Sequence, residues 1–140
     1  MISSTAKYAL RAVVYLANRS DEFVGRAEIS EATSVPHEYL LKVLNQLSVA
    51  ELVESRPGPG GGYRLTQSPR AVTALDVIFA VDTIPRIKEC PLGIPGHEDL
   101  CPLHRLLDEA SRTVEEVFRT TTIADLLPRK RPRACDFPNN

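Results

Sequence analysis

Arg56-Pro57-Gly58-Pro59-Gly60-Gly61-Gly62-Tyr63 decides the reading of this chain. Three consecutive glycines carry no Cβ, so the backbone can take positive φ at a turn tip and lie close against another surface. A short strand-like run, Tyr63-Arg64-Leu65, follows, and Arg56 and Arg64 flank the glycines with positive charge. Taken alone, the segment reads equally as a flexible surface hairpin. What precedes it selects between the two. Arg26 to Thr33 carries Ala27, Ile29 and Ala32 at helical spacing, and Pro36 to Leu52 carries Leu40, Val43, Leu44 and Leu47. The join Thr33-Ser34-Val35-Pro36 fits the turn of a helix-turn-helix, with Pro36 in the first turn of the second helix, where a missing N–H is no loss. Helix, helix, then glycine-rich hairpin is the order of a winged helix, and a phosphate backbone is the natural surface for its wing.

The 140 residues suffice for one domain with a real core, with or without an elongated appendage. Lys and Arg number 17 against 18 Asp and Glu, a net charge of −1, so any DNA contact must come from local clustering rather than bulk charge. No apolar run approaches the roughly 20 residues of a membrane span, and the N-terminus lacks the charged and apolar regions of a signal peptide, so a cytoplasmic location without membrane contact is expected. Three cysteines, an odd number in a reducing compartment, point to free thiols or metal ligands rather than a disulfide framework.

Ser3 or Ser4 can cap a first helix with the apolar stripe Ala6, Ala9, Leu10, Val13, Val14, Leu16 and Ala17. Lys7 and Arg11 share one side of it, as phosphate contacts or as a solvated charged face. After the wing, Thr73 and Asp76 form the start of a further helix through Val77, Ile78 and Val81, ended by Pro85. Residues 85 to 101 hold little periodicity and read as a loop. Pro102 opens the longest helical pattern, in which Leu103, Leu106, Leu107, Ala110, Val114, Val117 and Phe118 recur at three- and four-residue steps. At 1.5 Å per residue this pattern spans roughly 25 Å, more than a small core needs. The simplest cover for the surplus face is a second copy, giving a homodimer whose winged helices face successive major grooves about 34 Å apart; the alternative is packing wholly within one chain. Thr122 and Asp125 can cap a last short helix ending at Leu127, and Arg129-Lys130-Arg131-Pro132-Arg133 reads as a disordered basic tail or a minor-groove arm.

Tyr8-Ala9-Leu10-Arg11-Ala12, Tyr15-Leu16-Ala17, Glu28-Ile29, Tyr39-Leu40, Leu47, Leu52-Val53, Gly60-Gly61-Gly62-Tyr63-Arg64-Leu65 and Asp76-Val77-Ile78-Phe79-Ala80-Val81, taken in order, resemble the Rrf-two family of bacterial winged-helix regulators. The resemblance covers about residues 3 to 127. It implies a mainly α fold with a small β-wing: residues 1–83 a winged helix-turn-helix, 84–101 a sensing loop, 102–127 a dimerisation helix with a short terminal helix, and 128–140 a basic tail. It implies a homodimer that binds a palindromic operator on double-stranded DNA and represses or sometimes activates transcription. The helix from Pro36 would enter the major groove, offering His37, Glu38, Lys42, Asn45 and Gln46, while the wing with Arg56, Gly60, Gly61, Tyr63 and Arg64 lies along the minor groove and backbone and Lys7 adds charge. Lys42 and the arginines would give salt-dependent affinity, and Asn45 and Gln46 carry the paired donor and acceptor that read adenine. Two positions depart from the family pattern: Leu41 stands where relatives often have Glu or Gln, and Pro57 where they have an arginine, a role Arg56 can take from the neighbouring position.

Cluster-binding members of the family crowd three cysteines before the long helix. Here Cys90, His97, Cys101 and His104 follow the spacing Cys-x6-His-x3-Cys-x2-His, with Cys135 in the tail. Such a set can hold an iron-sulfur cluster (2Fe-2S) with mixed ligation, or tetrahedral zinc, or no metal at all. Without metal, Cys101 at a helix N-terminus favours thiolate and thus oxidation or exchange with Cys90, unless both thiols are inert. A regulatory protein or small metabolite acting on the long helix is the third route. Paired carboxylates in a cleft pattern, a nucleophile elbow and a phosphate loop ending in Lys-Ser or Lys-Thr are all missing from the sequence, so an enzyme is not expected. A protein-interaction module without DNA binding is the remaining reading.

Overall fold

The computed structural model describes residues 2–19, 21–84, 93 and 101–128. Helices α1 (Ser4–Asn18), α2 (Arg26–Thr33) and α3 (His37–Val49) lead into a hairpin of β1 (Val53–Arg56) and β2 (Gly62–Leu65). Helices α4 (Ala74–Val81) and α5 (Pro102–Thr120) follow, and a single 3-10 turn spans Ala124–Leu126. This is the mainly α fold with a β-wing that the sequence implies.

α1 is the hub. Ser3 caps it, its Oγ accepting from the Ala6 N–H at 3.1 Å. The stripe Ala6, Ala9, Ala12, Val13, Leu16 and Ala17 is buried, and its alanines let neighbouring helices approach. α3 and α4 both pack on α1, bringing Leu40, Val43, Leu44, Leu47 and Val77 into one core with Ile29, Val35 and Val53.

Between α2 and α3, Ser34 takes the left-handed conformation at φ 57. Ser30 Oγ donates to the Val35 carbonyl at 2.7 Å and Thr33 Oγ1 to the Ile29 carbonyl at 2.6 Å, both within the buried turn. Pro36, at φ −57 and ψ 140, sits at the cap position just before α3 rather than inside its first turn.

α3 stops at Val49 although the apolar pattern runs on to Leu52. The Leu52 N–H reaches back to the Leu47 carbonyl at 3.0 Å and the Glu51 N–H to Ser48 at 3.0 Å. These are the paired bonds of a Schellman stop, with Leu52 packing back on the core. The stop needs a left-handed residue, and Glu51 fills it at φ 60 where glycine is usual. α4 starts as expected: Thr73 Oγ1 accepts from the Asp76 N–H at 3.1 Å and Asp76 Oδ2 from the Thr73 N–H at 2.9 Å. It ends at Val81, before Pro85.

After α5 the chain comes back to the domain. The Ala74 N–H donates to the Thr121 carbonyl at 2.8 Å and the Ile123 N–H to Val72 at 2.8 Å. Ile123 is fully buried in the main core. Thr122 and Asp125 cap one another reciprocally at 2.9 and 3.2 Å, as their spacing suggests.

A polar knot joins the end of α1 to the start of α2. Tyr15 Oη donates to Glu28 Oε1 at 2.8 Å, and Arg19 pairs with both Glu28 and Glu22. The Tyr15 hydroxyl, opposed by burial and aided by Arg19, holds the Glu28 carboxyl below the ordinary glutamate range. A depressed folded value means stability that is present above the unfolded pKa, about 4.3, and fades as pH falls through the folded value.

Two outcomes follow for stability. Glu28→Gln should cost about 1 kcal/mol at pH 7, a figure kept small by the solvent exposure of the pair, and its gap to the parent should close below about pH 4, as read by urea unfolding across pH 3 to 7. Glu51→Gly should stabilise by about 0.5 kcal/mol, because relief of left-handed strain exceeds the added chain entropy; a drop in the urea midpoint would contradict the strained stop.

Candidate nucleic-acid interface

The wing is antiparallel, with Val53 opposite Leu65, Glu54 opposite Arg64, Ser55 opposite Tyr63 and Arg56 opposite Gly62. A third stretch joins it from the α1–α2 link. The Val24 N–H donates to the Tyr63 carbonyl at 2.9 Å and the Tyr63 N–H to the Val24 carbonyl at 2.8 Å. This approach explains the glycine run. A Cβ on Gly62, at φ 140, would lie 2.2 Å from the Val24 carbonyl oxygen, and one on Gly61 would lie 2.0 Å from that of Arg56. The other surface that these two glycines approach is therefore their own chain. Gly58 and Gly60 take positive φ, 86 and 73, with open space around them, which is the turn-tip role.

On α3, His37, Glu38, Leu41, Lys42 and Asn45 share the exposed face, while Leu40, Val43, Leu44 and Leu47 are buried behind it. The spacing of the exposed set is the helical complement of the buried set. Gln46 lies at the edge, and its Oε1 is buried without a hydrogen-bond partner among the described residues. Tyr39 is half exposed. Its ring lies 5.6 Å from that of Tyr8 on α1, and Arg11 stands over Tyr8 at 5.9 Å. Lys7 is exposed on α1.

Arg56 and Arg64 do not extend freely. Arg56 Nη2 donates to the Gly60 carbonyl at 3.0 Å, and Arg64 Nε and Nη2 donate to Glu54 Oε1 at 2.8 and 2.5 Å. Both guanidinium groups stand over the Phe23 ring, 4.3 and 4.2 Å from its centroid. Tyr63 is half-buried between the wing and Val24. Tyr8, Tyr39 and Phe23 are not among the site residues that the sequence suggests, and Arg11 enters there only beside Lys7, as a phosphate contact or a solvated charge. Tyr39 and Tyr8 carried only a family pattern there, and Phe23 is a single aromatic in a stretch without periodicity.

Of the four residues with metal-ligand spacing, Cys101 and His104 are described; Cys90 and His97, like Cys135 of the tail, lie outside the described residues. Cys101 caps α5, its Sγ accepting from the His104 N–H at 3.4 Å, and the His104 side chain is buried. Among the described residues no group of three His, Cys, Asp or Glu side chains could hold a metal ion. A cluster or tetrahedral zinc takes four donors, so these two residues do not by themselves form its ligand set. The basic run 129–133 and most of the segment 85–101 also lie outside the described residues. No helix of the described residues is long and apolar enough to cross a membrane.

Along α5 the apolar stripe divides. Val114 and Phe118 are partly buried against Ala6, Leu75, Ile78 and Ile84 of the same chain. Leu103, Leu106, Leu107, Ala110 and Val117 remain exposed, Leu106 at 62% and Val117 at 58%.

The close approach at Gly62 yields a direct test. Gly62→Ala should destabilise by about 2 kcal/mol or more through carbonyl overlap and unfavourable φ, with the amides of Val24 and Tyr63 losing hydrogen-exchange protection. Parent-like protection of those two amides would show that the join carries no constraint.

Residues 2–129 match the model of the Rrf2 family, described as an iron-dependent transcriptional regulator. A protein of Aquifex aeolicus named as an HTH-type transcriptional regulator is 32% identical over 132 residues, covering 91% of each chain. The protein BadM of Rhodopseudomonas palustris, also named as an HTH-type transcriptional regulator, is 35% identical over 119 residues, 84% of this chain and 75% of its own. Among solved structures, CymR (YrzC), the global cysteine regulator of B. subtilis, superposes with a TM-score of 0.77 at 29% identity, over 90% of this chain and 95% of that one. IscR of T. potens shares the fold with a TM-score of 0.75 at 24% identity, over 90% and 85%. The exposed face of α3, the adjoining wing and these likenesses agree: the chain belongs to the Rrf2 family of winged-helix, DNA-binding transcriptional regulators.

Proposed function

We propose that two copies of this chain pair through α5 and seat their α3 helices in successive major grooves of a two-fold-symmetric operator, repressing transcription from it in the cytoplasm. The observation that carries this reading is the exposed α3 face of His37, Glu38, Leu41, Lys42 and Asn45 beside a wing that bears Arg56 and Arg64. Lys42 supplies phosphate affinity by displacing counterions, and Asn45 offers the bidentate pairing that reads adenine. Gln46, with its carbonyl oxygen turned inward, contributes less to readout than Asn45. Tyr8, Arg11 and Tyr39 extend the contact onto the adjoining backbone, with Lys7 beyond them. Pairing is supported by the exposed Leu103, Leu106, Leu107 and Val117, a face that a second α5 would cover.

For the signal, we assign reception to the segment leading into α5, where Cys101 caps the helix. The family description as iron-dependent supports a cluster there with ligands drawn from Cys90, His97, Cys101 and His104. Thiol chemistry, a metabolite or a regulatory protein is the competing set. Oxygen-free purification decides: stoichiometric iron and sulfide with visible absorption, lost in Cys101→Ala, supports the cluster, whereas a colourless, metal-free protein removes it.

Selection from a random duplex library should yield a palindromic site. On that site Lys42→Ala and Arg56→Ala should each weaken binding about tenfold and lower the salt slope by about one, while Asn45→Ala relaxes preference at one base pair per half-site. Leu106→Asp should sediment as a monomer and lose most of its affinity. Salt-insensitive binding, or none, would remove the regulator reading in favour of a protein-interaction module.

A further inference from the structure

We propose that Phe23 is the platform that positions both wing arginines for DNA, and that Glu54 is an internal anion which Arg64 exchanges for a phosphate on binding. The proposal rests on the DNA-binding reading above and deepens it at the wing.

Phe23 reaches the wing through backbone geometry. Val24 is locked to Tyr63 by two main-chain bonds, and side chains alternate across a strand. Phe23 therefore falls on the opposite face from Val24, the face that carries Glu54, Arg56 and Arg64 in register. Both guanidinium carbons stand within 4.3 Å of its ring centroid, well inside the reach of a cation–π contact, about 6 Å. Two long, flexible cations are thus held on one rigid, half-buried ring before any ligand arrives. A guanidinium carries five N–H donors, so each arginine, held over the ring, keeps donors for a phosphate beyond those its present partners take.

Holding two like charges on one ring is unfavourable unless an anion stands close. Glu54 is that anion: it lies directly opposite Arg64 and takes both Nε and Nη2 of Arg64 on a single oxygen. Arg56 is bound instead to a neutral carbonyl, that of Gly60. The two arginines consequently differ. Arg56 is held ready by ring and carbonyl, while Arg64 must release Glu54 and leaves that carboxylate facing the phosphates. Glu54 thus weakens contact with any backbone and makes productive wing contact depend on the correct seating of α3.

The test uses the full chain, a duplex selected from a random library and a scrambled duplex of equal length, with Kd measured by fluorescence anisotropy over a series of KCl concentrations. Phe23→Leu, which keeps apolar bulk and removes the π face, should weaken binding to the selected duplex about tenfold and lower the salt slope by about one to two. Phe23→Trp should restore both, and Glu54→Gln should tighten the scrambled duplex several-fold. Thermal melts check folding, and Phe23→Met replaces the Leu variant if Leu prevents it. A Leu or Met variant with parental Kd and slope, beside a weakened Arg56→Ala, overturns the platform while leaving the DNA-binding reading intact. Equal defects in Phe23→Leu and Phe23→Trp reduce Phe23 to packing, and an unchanged Glu54→Gln removes the exchange. Parental binding by Lys42→Ala and Arg56→Ala together overturns the broader reading and this one with it.

Discussion

Val24 and Tyr63 exchange both of their main-chain hydrogen bonds, and the Val24 carbonyl oxygen occupies space where any side chain on Gly62 would begin. The hairpin is consequently fastened to the α1–α2 link and not only to its own two strands. Because α2 packs on α1 and α3, the fastening sets the distance from the wing to the exposed face of α3. A two-stranded ribbon alone is marginal in water; the third stretch and the half-buried Tyr63 give this one a fixed place. The same join puts Phe23 beside Arg56 and Arg64, so the electrostatics of the wing follow from a backbone contact.

Charge in this protein is local. With a net charge of −1, no long-range field draws DNA toward it, and several cations already have partners: Arg19 with Glu22 and Glu28, Arg64 with Glu54, Arg119 with Glu115 and Glu116. The surface pairs on α5 contribute little to stability, and they also remove free positive charge from a helix remote from the recognition face. What is left near that face, Lys7, Arg11, Lys42 and Arg56, is a small set whose placement matters more than its number.

Much of the fold was legible from apolar spacing. The stripes of α1, α3 and α4 and the reciprocal caps at Thr73 and Thr122 depend on residues within one turn of each other, so local sequence carries them. The end of α3 did not follow, since Glu51 adopts a conformation for which its side chain gives no signal, and only the return of Leu52 to the core requires it. Glycine was recognised as necessary at the wing, but the reason at Gly61 and Gly62 lies in contacts to Arg56 and Val24, the latter distant in sequence. The same dependence hid Phe23. On α5 the periodic stripe was correct as a stripe, yet periodicity cannot tell which of its members face their own domain; Val114 and Phe118 do, because α4 and Ile84 lie beneath them. The paired appearance of Asn45 and Gln46 on the sequence likewise concealed that a one-residue step turns the Gln46 carbonyl inward.

The return of the chain at Ile123 gives α5 an uneven mounting. Its C-terminal part is pinned twice, by Val114 and Phe118 against the core and by Ile123, which is buried in the main core and donates its N–H to the Val72 carbonyl. From Cys101 to Val114 the helix runs some 20 Å at 1.5 Å per residue, with Leu103, Leu106 and Leu107 exposed along it. Mechanically this is a stiff beam, fixed firmly at its C-terminal part and, nearer Cys101, held through the buried His104. A push at Cys101 travels along this beam and reaches the contacts of Val114 and Phe118 as torque on α4 and α1, the same helices that set the pose of α3.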